Sequence, residues 1–485
     1  MHEESPQLAP QLSRFAVDAY RGGVPDVVLT DIARRVLDVT GNCLGAFGDD
    51  AGRAALSLVR SWAGTPQAGI IGAPSTRVPA AHAALVNGTH AHSLDFDDTH
   101  LPSVLHPSAS VVPTAIAVAA SLGLGGSDVL RAAAVGDEIC VRLGMASYDP
   151  EIRNSIFFEN GLHATSICGT LASAATAAVM IGLDEDGVLN SLAVAASMGA
   201  GLLEANRTGG SVKRVHCGWA AHAGISAATL VAEGLTGPPT VLEGRFGFFR
   251  AYSEGRFDQA ALLGGLGDRW EILQTHFKPY PANHFTHPCI DAALELRRQG
   301  VIPADIVSIE LGVAGPTLRT IAEPEHIKAA PPTSHAAKFS APFTVASALH
   351  GGGGLGLSHE DFSSSRLSDP EILATASVVR CVEDAQATEL FPRAFSAVLN
   401  ATLSDGRNIE VRVPTSRGGL ERPLSDDDLT TKFLLNAEAH LESDTARQLA
   451  QTIWGLRDVG SIDEVLRLTE PRTDSPDTRL PTEAE

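Results

Sequence analysis

A charge-free segment, Ala164 to Leu183 (ATSICGTLASAATAAVMIGL), restricts the possible folds of this chain more than any other feature. Its 20 residues have the length of a membrane span. They are mostly Ala, Ser, Thr and Gly, whose transfer into lipid gains little free energy, and no aromatic residues flank them. The segment therefore predicts a helix buried inside a folded domain, where small side chains let neighbouring helices approach closely.

Helical periodicity extends through the first half of the chain, from Pro25 to about Leu266. Apolar residues recur at three- and four-residue spacing, as at Val28 and Ile32, and Pro25 followed by Asp26 is a favourable helix start. Many packing faces consist of Ala and Gly, which predicts a compact helical domain. The further predicted helices are 53–63, 79–94, 110–122, 127–146, 164–182, 186–203, 217–234 and 256–264.

The pattern changes after about Arg269, where apolar residues alternate or run continuously as they do in strands. A hairpin is predicted around Ser404-Asp405-Gly406-Arg407, because Asp-Gly is typical of tight turns between strands. The predicted strands are 271–277, 306–313, 377–382, 395–403 and 408–413.

The predicted fold class is mainly α, with a large all-helical domain built from both chain ends and a smaller α+β lid domain. Helical periodicity returns from Asp426 to about Leu468, and the polar, proline-punctuated end of the chain predicts a disordered tail. The predicted limits are 1–268 for the first part of the helical domain, 269–420 for the lid domain, 421–470 for the helical return and 471–485 for the tail.

The net charge is -21 and the isoelectric point is about 5.2. Such a charge repels nucleic acid and anionic membrane surfaces, so neither is an expected partner. An acidic substrate is repelled as well. A binding site for one therefore requires a local cluster of basic side chains.

The cysteines are dispersed and form no closely spaced pair, and the first residues (MHEESPQLAP) do not resemble a signal peptide. Neither a disulfide framework nor an iron–sulfur cluster is indicated. We expect a cytoplasmic protein in which the cysteines are mostly buried small apolar groups. They are Cys43, Cys140, Cys168, Cys217, Cys289 and Cys381.

Two glycine-rich segments do not support nucleotide binding. Gly351–Gly354 is not followed by Lys-Ser/Thr, and the chain has no GxSxG motif, so a flexible loop after a helix is the better interpretation. The turn with Gly123, Gly125 and Gly126 follows a helix rather than a strand, which does not fit a dinucleotide-binding motif.

Residues 87–108 (NGTHAHSLDFDDTHLPSVLHPS) are unusually rich in histidine and aspartate for an Ala-rich helical domain. The preceding helix should end near Leu94, and Ser108 is a candidate N-cap of the next helix. The polar groups would then lie on a loop of a rigid scaffold, a frequent location of catalytic residues. They are His90, His92, His100, His106, Asp95, Asp97 and Asp98.

Three interpretations of this loop are open from its own residues. It can be a solvated acidic loop with incidental histidines. It can be a Zn or Fe site, since His and Asp at close spacing suit such metals. Finally, it can perform general acid–base chemistry, with a carboxylate orienting an imidazole. Basic groups elsewhere in the chain favour the third interpretation.

The first basic cluster is Thr208 to His216 (TGGSVKRVH), just before a helix predicted to begin near Cys217. Lys213 and Arg214 beside exposed N–H groups at a helix start could bind a carboxylate. A basic surface turn explains the same residues equally well.

The second basic cluster is Phe277-Lys278-Pro279-Tyr280-Pro281, where two prolines stiffen the chain around one lysine and one tyrosine. A clustered lysine can titrate low enough to act as an acid or a base. His163 precedes the long apolar helix, where a lone histidine is more often a structural group.

Taken together and in this order, these segments resemble the MmgE/PrpD family, which includes 2-methylcitrate dehydratase, cis-aconitate decarboxylase and iminodisuccinate epimerase. The resemblance extends over roughly 10–465. The matching segments are AHSLDFDDTH…HPSASVVP at 91–113, GDEICVRLG at 136–144, GLHATSICGTLASAATAA at 161–178, SVKRVHCGWAAHAGISAATLVAEGLTGPPTVLEGRFGF at 211–248, FKPYPANHFTHPCIDAAL at 277–294 and AAKFSAPFTVASAL at 336–349.

The resemblance implies a cleft between the helical domain and the lid as the active site, a homodimer, and chemistry without metal or organic cofactor. Two histidines would be the acid–base pair, and lysines would hold substrate carboxylates and stabilise enolate-like charge. Phe343 stands near a position where relatives often have Tyr, so no lid tyrosine is assigned there. The predicted catalytic residues are His106, His163, Asp95 and Thr99, and the predicted substrate-binding residues are Lys213, Arg214, His216, Lys278 and Tyr280, while His90, His92, Asp97 and Asp98 are expected to be supporting structure.

The predicted function is that of a cofactor-independent lyase, either a dehydratase or a decarboxylase, acting on a small citrate-like di- or tricarboxylate by proton transfer next to a carboxylate. His100 stands where 2-methylcitrate dehydratases usually have Trp, which counts against that substrate. The alternatives are an isomerase or epimerase of an imino- or amino-dicarboxylate and, in a different class, a metal-dependent hydrolase that uses the His/Asp loop.

Overall fold

The computed structural model describes residues 7–472, without the side chains at 207 and 208. These residues form two compact units. The first comprises the described residues up to Thr275 and from Phe433 onward, and the second comprises His276–Lys432. The predicted domain limits stay predictions, and most of the predicted tail, 471–485, lies outside the described residues.

The first unit is helical, and the predicted mainly α fold class is confirmed. The helix predicted after Pro25 begins at Asp26, as the sequence indicates. The helices of this unit are α1 Leu8–Asp18, α2 Asp26–Gly45, α3 Asp50–Trp62, α4 Ala80–Ser93, α5 Ser108–Leu122, α6 Gly126–Ala146, α7 Ile156–Glu159, α8 Ala164–Ile181, α9 Glu185–Ala195, α10 Ala205–Thr208, α11 Val212–Ala232, α12 Phe248–Ser253 and α13 Gln259–Leu263.

Helix α8 is the charge-free segment. By length and hydropathy it could cross a membrane, but 94% of it is buried inside the protein. It packs against α5, α6, α9 and α11. The prediction of a buried core helix is confirmed.

Helices α4 and α11 approach each other at two glycines. A Cβ atom on Gly218 would lie 2.1 Å from the carbonyl oxygen of Leu85, and one on Gly88 would lie 2.8 Å from the Cα atom of Gly218. No side chain fits at either position, so the two helix backbones are in direct contact. His92 on α4 and His216 on α11 lie within about one turn of this contact, which brings their side chains to the same region.

The chain returns to the first unit near its C-terminal end and packs against α2. The ring of Phe433 lies 3.1 Å from the position of a Cβ atom on Gly41. Asn436 Nδ2 donates a hydrogen bond of 3.1 Å to Asn42 Oδ1. The helices of this return are α22 Asp426–Ala437, which spans the limit between the units, α23 Ser443–Trp454 and α24 Ile462–Arg467.

The helical periodicity between Pro25 and about Leu266 does not hold at residues 64–78, which lie between the predicted helices 53–63 and 79–94. There β1 Ala68–Ile70 pairs with β2 Ala73–Val78 in an antiparallel hairpin. Gly72 provides its turn with a φ of 84°, a conformation that favours glycine. The other strands of the first unit have two residues each, and they are β3 Thr99–His100, β4 Tyr148–Asp149 and β5 Asn154–Ser155. Strand β6, Thr275–His276, lies at the limit of the unit.

Two predicted helix limits beside the candidate site are also wrong. The helix predicted to extend to 203 ends at Ala195, because the following Gly199 and Gly201 allow the chain to leave the helix, the latter with a φ of 154°. The helix predicted to begin near Cys217 begins at Val212. The first basic cluster therefore contributes to the first turns of α11 rather than preceding it.

The second unit is an α+β structure around a four-stranded sheet in the order β10-β9-β7-β8, in which β7 and β8 are parallel and the other pairs antiparallel. Helix α14 packs against β9 and β10, and its apolar side joins the core of the unit. The elements are β7 Ile306–Val313, β8 Val379–Glu383, β9 Ala397–Leu403, β10 Asn408–Val413, α14 His287–Arg298, α15 Gly315–Ile321, α16 Glu325–Ala329, α17 Ser334–Lys338, α18 Ala341–Leu349, α19 Ser364–Leu367, α20 Pro370–Ser377 and α21 Ala385–Leu390.

The strand predictions for this unit are confirmed within two residues, and the predicted hairpin around Asp405-Gly406 joins β9 to β10. The prediction of a strand at 271–277 is wrong for its first half. Glu271–Gln274 is a turn of 3₁₀-helix, and two backbone N–H groups there donate to the buried carboxylate of Glu138. That carboxylate satisfies donors that a strand would have paired with a neighbouring strand.

The cysteines are all free, as predicted. Five are buried, and Cys381 is half-buried. Burial raises the pKa of Cys43 and Cys168, which keeps both thiols protonated at neutral pH.

We predict that Gly218→Ala destabilises the protein by about 2 kcal/mol or more, because the added methyl group collides with the backbone of α4. Urea denaturation followed by circular dichroism measures the change. Gly455→Ala is the matched control, since its Cβ atom would meet nothing closer than 3.7 Å. Equal unfolding free energies for the two variants would contradict the close helix contact.

Candidate active site

A cluster of polar side chains lies within the first unit where α4, α8 and α11 meet. Helix α4 carries His92 at its C-terminal end, and the residues between α4 and α5 form the loop that the sequence predicted. His163 is the residue immediately before α8. Lys213 and His216 occupy the first turns of α11. The structure thus brings together three segments that are far apart in the chain.

His92 and Asp97 form a buried pair at the centre of this cluster. His92 Nδ1 lies 2.6 Å from Asp97 Oδ2, and neither side chain is exposed to solvent. The His92 ring lies 5.4 Å, centroid to centroid, from the rings of both His106 and His163. His92 Nε2 has no hydrogen-bond partner among the described residues. A carboxylate at Nδ1 fixes the ring and makes Nε2 the proton-accepting nitrogen.

His106 is oriented by the backbone of its own loop. Its Nδ1 atom lies 2.5 Å from the carbonyl oxygen of Asp98 and 3.3 Å from Thr99 Oγ1. The carbonyl can only accept, so Nδ1 carries a proton and Nε2 is the nitrogen that exchanges protons. The His106 N–H group donates to Thr165 Oγ1 at 3.2 Å, which ties the loop to α8. The side chain is 17% exposed, more than the other imidazoles at the centre of the cluster.

His163 and His216 share a hydrogen bond. Their Nδ1 atoms are 2.9 Å apart, so one ring donates and the other accepts. Burial, together with His92 and Lys213 nearby, lowers the pKa of His163 well below its usual range. The same causes lower the pKa of His216 to about 4. Both rings are therefore neutral at neutral pH, as a shared hydrogen bond between two imidazoles requires.

Gly201 allows this histidine pair to form. Its carbonyl oxygen accepts a hydrogen bond of 3.0 Å from the His163 N–H group. A Cβ atom on Gly201 would lie 3.1 Å from His163 Cβ and 3.3 Å from His216 Nδ1. With a φ of 154° and so little space, this position strongly favours glycine.

Lys213 and Asp95 provide the charged edge of the cluster. Lys213 Nζ lies 3.6 Å from Asp95 Oδ1, and both side chains are about one-fifth exposed. Asp95 has a φ of 58°, a left-handed conformation that is unusual for a residue with a side chain. Such strain is common at functional sites, where surrounding structure maintains it. The lysine is positioned to bind a carboxylate that approaches the imidazoles.

A network of charged side chains, most of them buried, holds the loop in place through Asp98. Arg35 Nη1 lies 2.8 Å from Asp98 Oδ2, and Arg35 also pairs with Asp31 at 2.7 Å. Ser108 Oγ lies 2.5 Å from Asp98 and 3.0 Å from Asp137. The prediction of Ser108 as an N-cap is wrong: it is the first residue of α5, and its hydroxyl is held between these carboxylates.

Ser108 has one hydroxyl proton and cannot donate to both carboxylates at once. Burial and the neighbouring charge of Asp98 raise the pKa of Asp137 well above its usual range. We infer that Asp137 is protonated and donates to Ser108 Oγ, while Ser108 donates to Asp98. The network then has at most two ionised carboxylates, the buried Asp98 and the partly exposed Asp31, beside the single cation of Arg35.

The other predicted site residues have different surroundings. Arg214 points to Asp49, with 3.2 Å between Nη1 and Oδ2, and takes no part in the histidine cluster. Lys278 and Tyr280 belong to the second unit. Both are buried, and the Tyr280 hydroxyl donates to Asp291 at 2.7 Å. Their roles at a substrate site stay predictions.

Four residues of the cluster have contacts that the sequence did not predict. His92 and Asp97, predicted to be supporting structure, lie at its centre. The sequence signal for their contact is a spacing of five residues across the C-terminal end of α4. Thr165 and Gly201 were missed, since a threonine or glycine in a small-residue helical domain gives no sign of its contact.

Metal binding was one of the interpretations open from the sequence. Within residues 7–472, no group of three or more His, Cys, Asp or Glu side chains is arranged to hold a metal ion.

The chain matches two family models. Residues 10–260 match the MmgE/PrpD N-terminal domain, and residues 280–458 match the MmgE/PrpD C-terminal domain. Together these segments include the loop, the first basic cluster and the sheet of the second unit. Of the second basic cluster they include Tyr280 and Pro281 but not Lys278.

Several curated proteins are similar to this chain. Cis-aconitate decarboxylase of Homo sapiens is 30% identical over 450 residues, which are 90% of this chain and 89% of the human protein. Cis-aconitate decarboxylase of Mus musculus is 28% identical and covers 91% of this chain and 89% of its own length. Cis-aconitate decarboxylase of Aspergillus terreus is 30% identical over 228 residues, 45% of each chain.

The chain belongs to the MmgE/PrpD family. The predicted family is therefore confirmed, and so is the prediction of an enzyme of the lyase class.

We predict that Asp98→Asn lowers the free energy of unfolding by about 3 kcal/mol, because it removes one partner of a buried ion pair. Asp444→Asn is the matched control. The Asp444 side chain is 98% exposed and pairs with Arg447 at 2.9 Å, so its loss should cost less than about 1 kcal/mol. Denaturation of both variants measures the difference, and similar losses would show that the buried network is dispensable.

We also predict that stability falls as the pH drops from 6.5 toward 4. The lowered pKa values of His163 and His216 mean that the unfolded chain binds these protons before the folded chain does. The contribution is complete above the ordinary histidine pKa of 6.5 and is lost toward the folded value, about 4 for His216.

Urea denaturation at several pH values tests this for one residue. His216→Asn should make the slope of stability against pH shallower in that window. His326→Asn, at an exposed position, is the control that should leave the slope unchanged. Identical slopes for the wild type and His216→Asn would show that His216 titrates normally in the folded protein.

Proposed function

We propose that this chain is a decarboxylase of a small unsaturated tricarboxylate, with cis-aconitate as the first substrate to test. The observation that carries the proposal is the position of Lys213 beside buried imidazoles, which joins a carboxylate-binding cation to proton-transfer groups in one cluster. Relatives named cis-aconitate decarboxylase that span nine-tenths of the chain support the choice of substrate and reaction.

Loss of carbon dioxide requires two kinds of group. When the bond between carbon and a carboxylate breaks, its electron pair passes into the conjugated unsaturated acid as an enolate-like anion. Cations that hold the remaining carboxylates stabilise this developing charge. A proton must then be added to carbon to complete the product. Lys213 supplies the first function, with Lys278 as a further predicted cation.

His106 is the proposed proton donor. Its Nδ1–H group is held by the Asp98 carbonyl, so the proton that is transferred to carbon would be one bound at Nε2. It is the most exposed imidazole at the centre of the cluster, which allows water to restore the proton after each turnover. Thr99, whose Oγ1 atom lies 3.3 Å from His106 Nδ1, would position the ring or the substrate.

His163 and Asp95 have supporting roles in this proposal. The lowered pKa of His163 keeps it neutral, so it serves as a hydrogen-bond partner or base rather than as a second cation. Asp95 positions Lys213 through their ion pair. None of these steps uses a metal ion or an organic cofactor. The family resemblance also supports a homodimer, and the dispersed cysteines support a cytoplasmic location. Sedimentation and fractionation can test these two points.

We predict that the purified protein converts cis-aconitate in D2O to a product with one new carbon-bound deuterium and releases one equivalent of carbon dioxide. NMR and gas analysis measure the two. Activity should persist after treatment with a chelator. Loss of water from citrate-like acids without carbon dioxide would identify a dehydratase instead, and exchange with inversion of a stereocentre would identify an epimerase.

His106→Asn should reduce turnover by about 10²-fold or more, since general acid catalysis contributes that much. His326→Asn, an exposed position in α16, is the matched control. Lys213→Met should raise KM and reduce kcat, whereas Lys213→Arg should retain part of both because the charge is kept. Wild-type turnover in His106→Asn would remove His106 from the mechanism.

A further inference from the structure

The second unit contains a cavity of about 640 Å³ with four arginines in its wall. That volume is within the range of about 300–1,000 Å³ that is typical of small-molecule sites. The whole chain has a net charge of -21, so four guanidinium groups around one cavity are a local reversal of charge. The polar lining consists of Asp291, Arg297, Arg298, Arg417 and Arg422.

Two of these arginines are fixed in position. Arg422 Nη1 lies 2.9 Å from Asp291 Oδ2 and donates to the carbonyl of Thr415 at 2.7 Å. The backbone N–H group of Arg417 donates to the same Asp291 oxygen at 3.0 Å. The Asp291 side chain is only 2% exposed, so a buried carboxylate determines where both arginines stand. Their guanidinium groups keep further N–H donors for a ligand.

The other two arginines extend from the C-terminal end of α14 and are exposed. Arg298 pairs with Glu295 at 2.5 Å. Arg297 has no carboxylate partner among the described residues, and its Nη1 atom donates to the carbonyl of Ala348 at 3.4 Å. Since Arg417 pairs with Asp428 and Arg422 with Asp291, Arg297 is the one of these four arginines that no carboxylate within residues 7–472 balances.

The glycine-rich segment Gly351–Gly354 adjoins these arginines. Gly351 has a φ of 96°, and a Cβ atom there would lie 3.6 Å from Arg297 Nη1. The carbonyl of Leu355, which follows the glycines, accepts a hydrogen bond of 3.4 Å from Arg417 Nη1. The turn therefore comes close to one exposed and one fixed arginine. From its sequence, this segment is predicted only to be a flexible loop after a helix.

We propose that this cavity binds a small polyanion, a molecule with two or more phosphate or carboxylate groups. The planar guanidinium group binds either kind of anion through paired hydrogen bonds. Arg417 and Arg422 would hold one anionic group against the wall of the cavity, and Arg297 and Arg298 would bind a second group from the end of α14. The proposal does not depend on the reaction that the first unit catalyses.

Calorimetric titration of the full chain with pyrophosphate tests the proposal, with citrate as the carboxylate probe. Arg297→Gln combined with Arg298→Gln should weaken binding by about tenfold or more, because two charge-assisted contacts are lost. Arg407→Gln is the matched control. Arg407 is 66% exposed at the hairpin turn, pairs with Asp405 at 2.7 Å, and does not line the cavity.

The two probes separate the possible ligands. Weaker binding of pyrophosphate alone in the double variant identifies a phosphate site, and weaker binding of citrate alone identifies a carboxylate site. If the double variant binds citrate as tightly as the wild type does, that citrate binds elsewhere in the protein. The proposal is overturned if neither probe binds saturably at millimolar concentration. It is also overturned if both probes bind the wild type and the double variant with equal affinity.

Discussion

Arg35 and Asp98 are both almost completely buried, and charges in such surroundings are costly unless each is paired and hydrogen-bonded. Their pairing fixes the residue whose own carbonyl oxygen orients His106. Asp98 therefore has two functions. Its side chain binds Arg35 of α2 and Ser108 of α5, and its backbone carbonyl accepts a hydrogen bond from the His106 imidazole. A loop with three aspartates would otherwise have many solvated conformations. The ion pair restricts it to the one in which His106, Thr99 and Asp97 face the other histidines.

The rest of the cluster depends on close backbone approach. Gly88 and Gly218 let α4 and α11 touch, and Gly201 lets a loop reach the His163 N–H group. Neither contact contributes chemistry, but each determines how near the imidazoles can lie. The low pKa of His163 follows from this arrangement, because tight packing removes water and brings other cationic or ionisable groups near the ring. The close packing and the lowered pKa of His163 thus have the same origin in small residues.

The sequence predicted the helical first unit, the strands of the second unit and the loop of histidines and aspartates, because each has a local signature in periodicity or composition. It grouped Lys213 with the histidines near which the structure places it, but began its helix five residues late, since Ser211 and the preceding glycines hide the helix start. It did not predict the central position of His92 or the contacts of Gly201. Both arise from contacts between segments that are distant in sequence, and a single chain gives no pattern for them. Nor did it predict that Arg214, in the same motif as Lys213, pairs with Asp49.

The return of the chain to the first unit has a consequence for biosynthesis. Residues synthesised first, around Gly41 and Asn42, contact Phe433 and Asn436, which leave the ribosome more than 390 residues later. During translation the face of α2 that receives this return stays uncovered while the entire second unit is made. Domains tend to fold as they emerge, so the second unit can complete its core before the first. The nascent chain would then carry an unfinished first unit and a finished second unit, a state in which chaperones have the most opportunity to act.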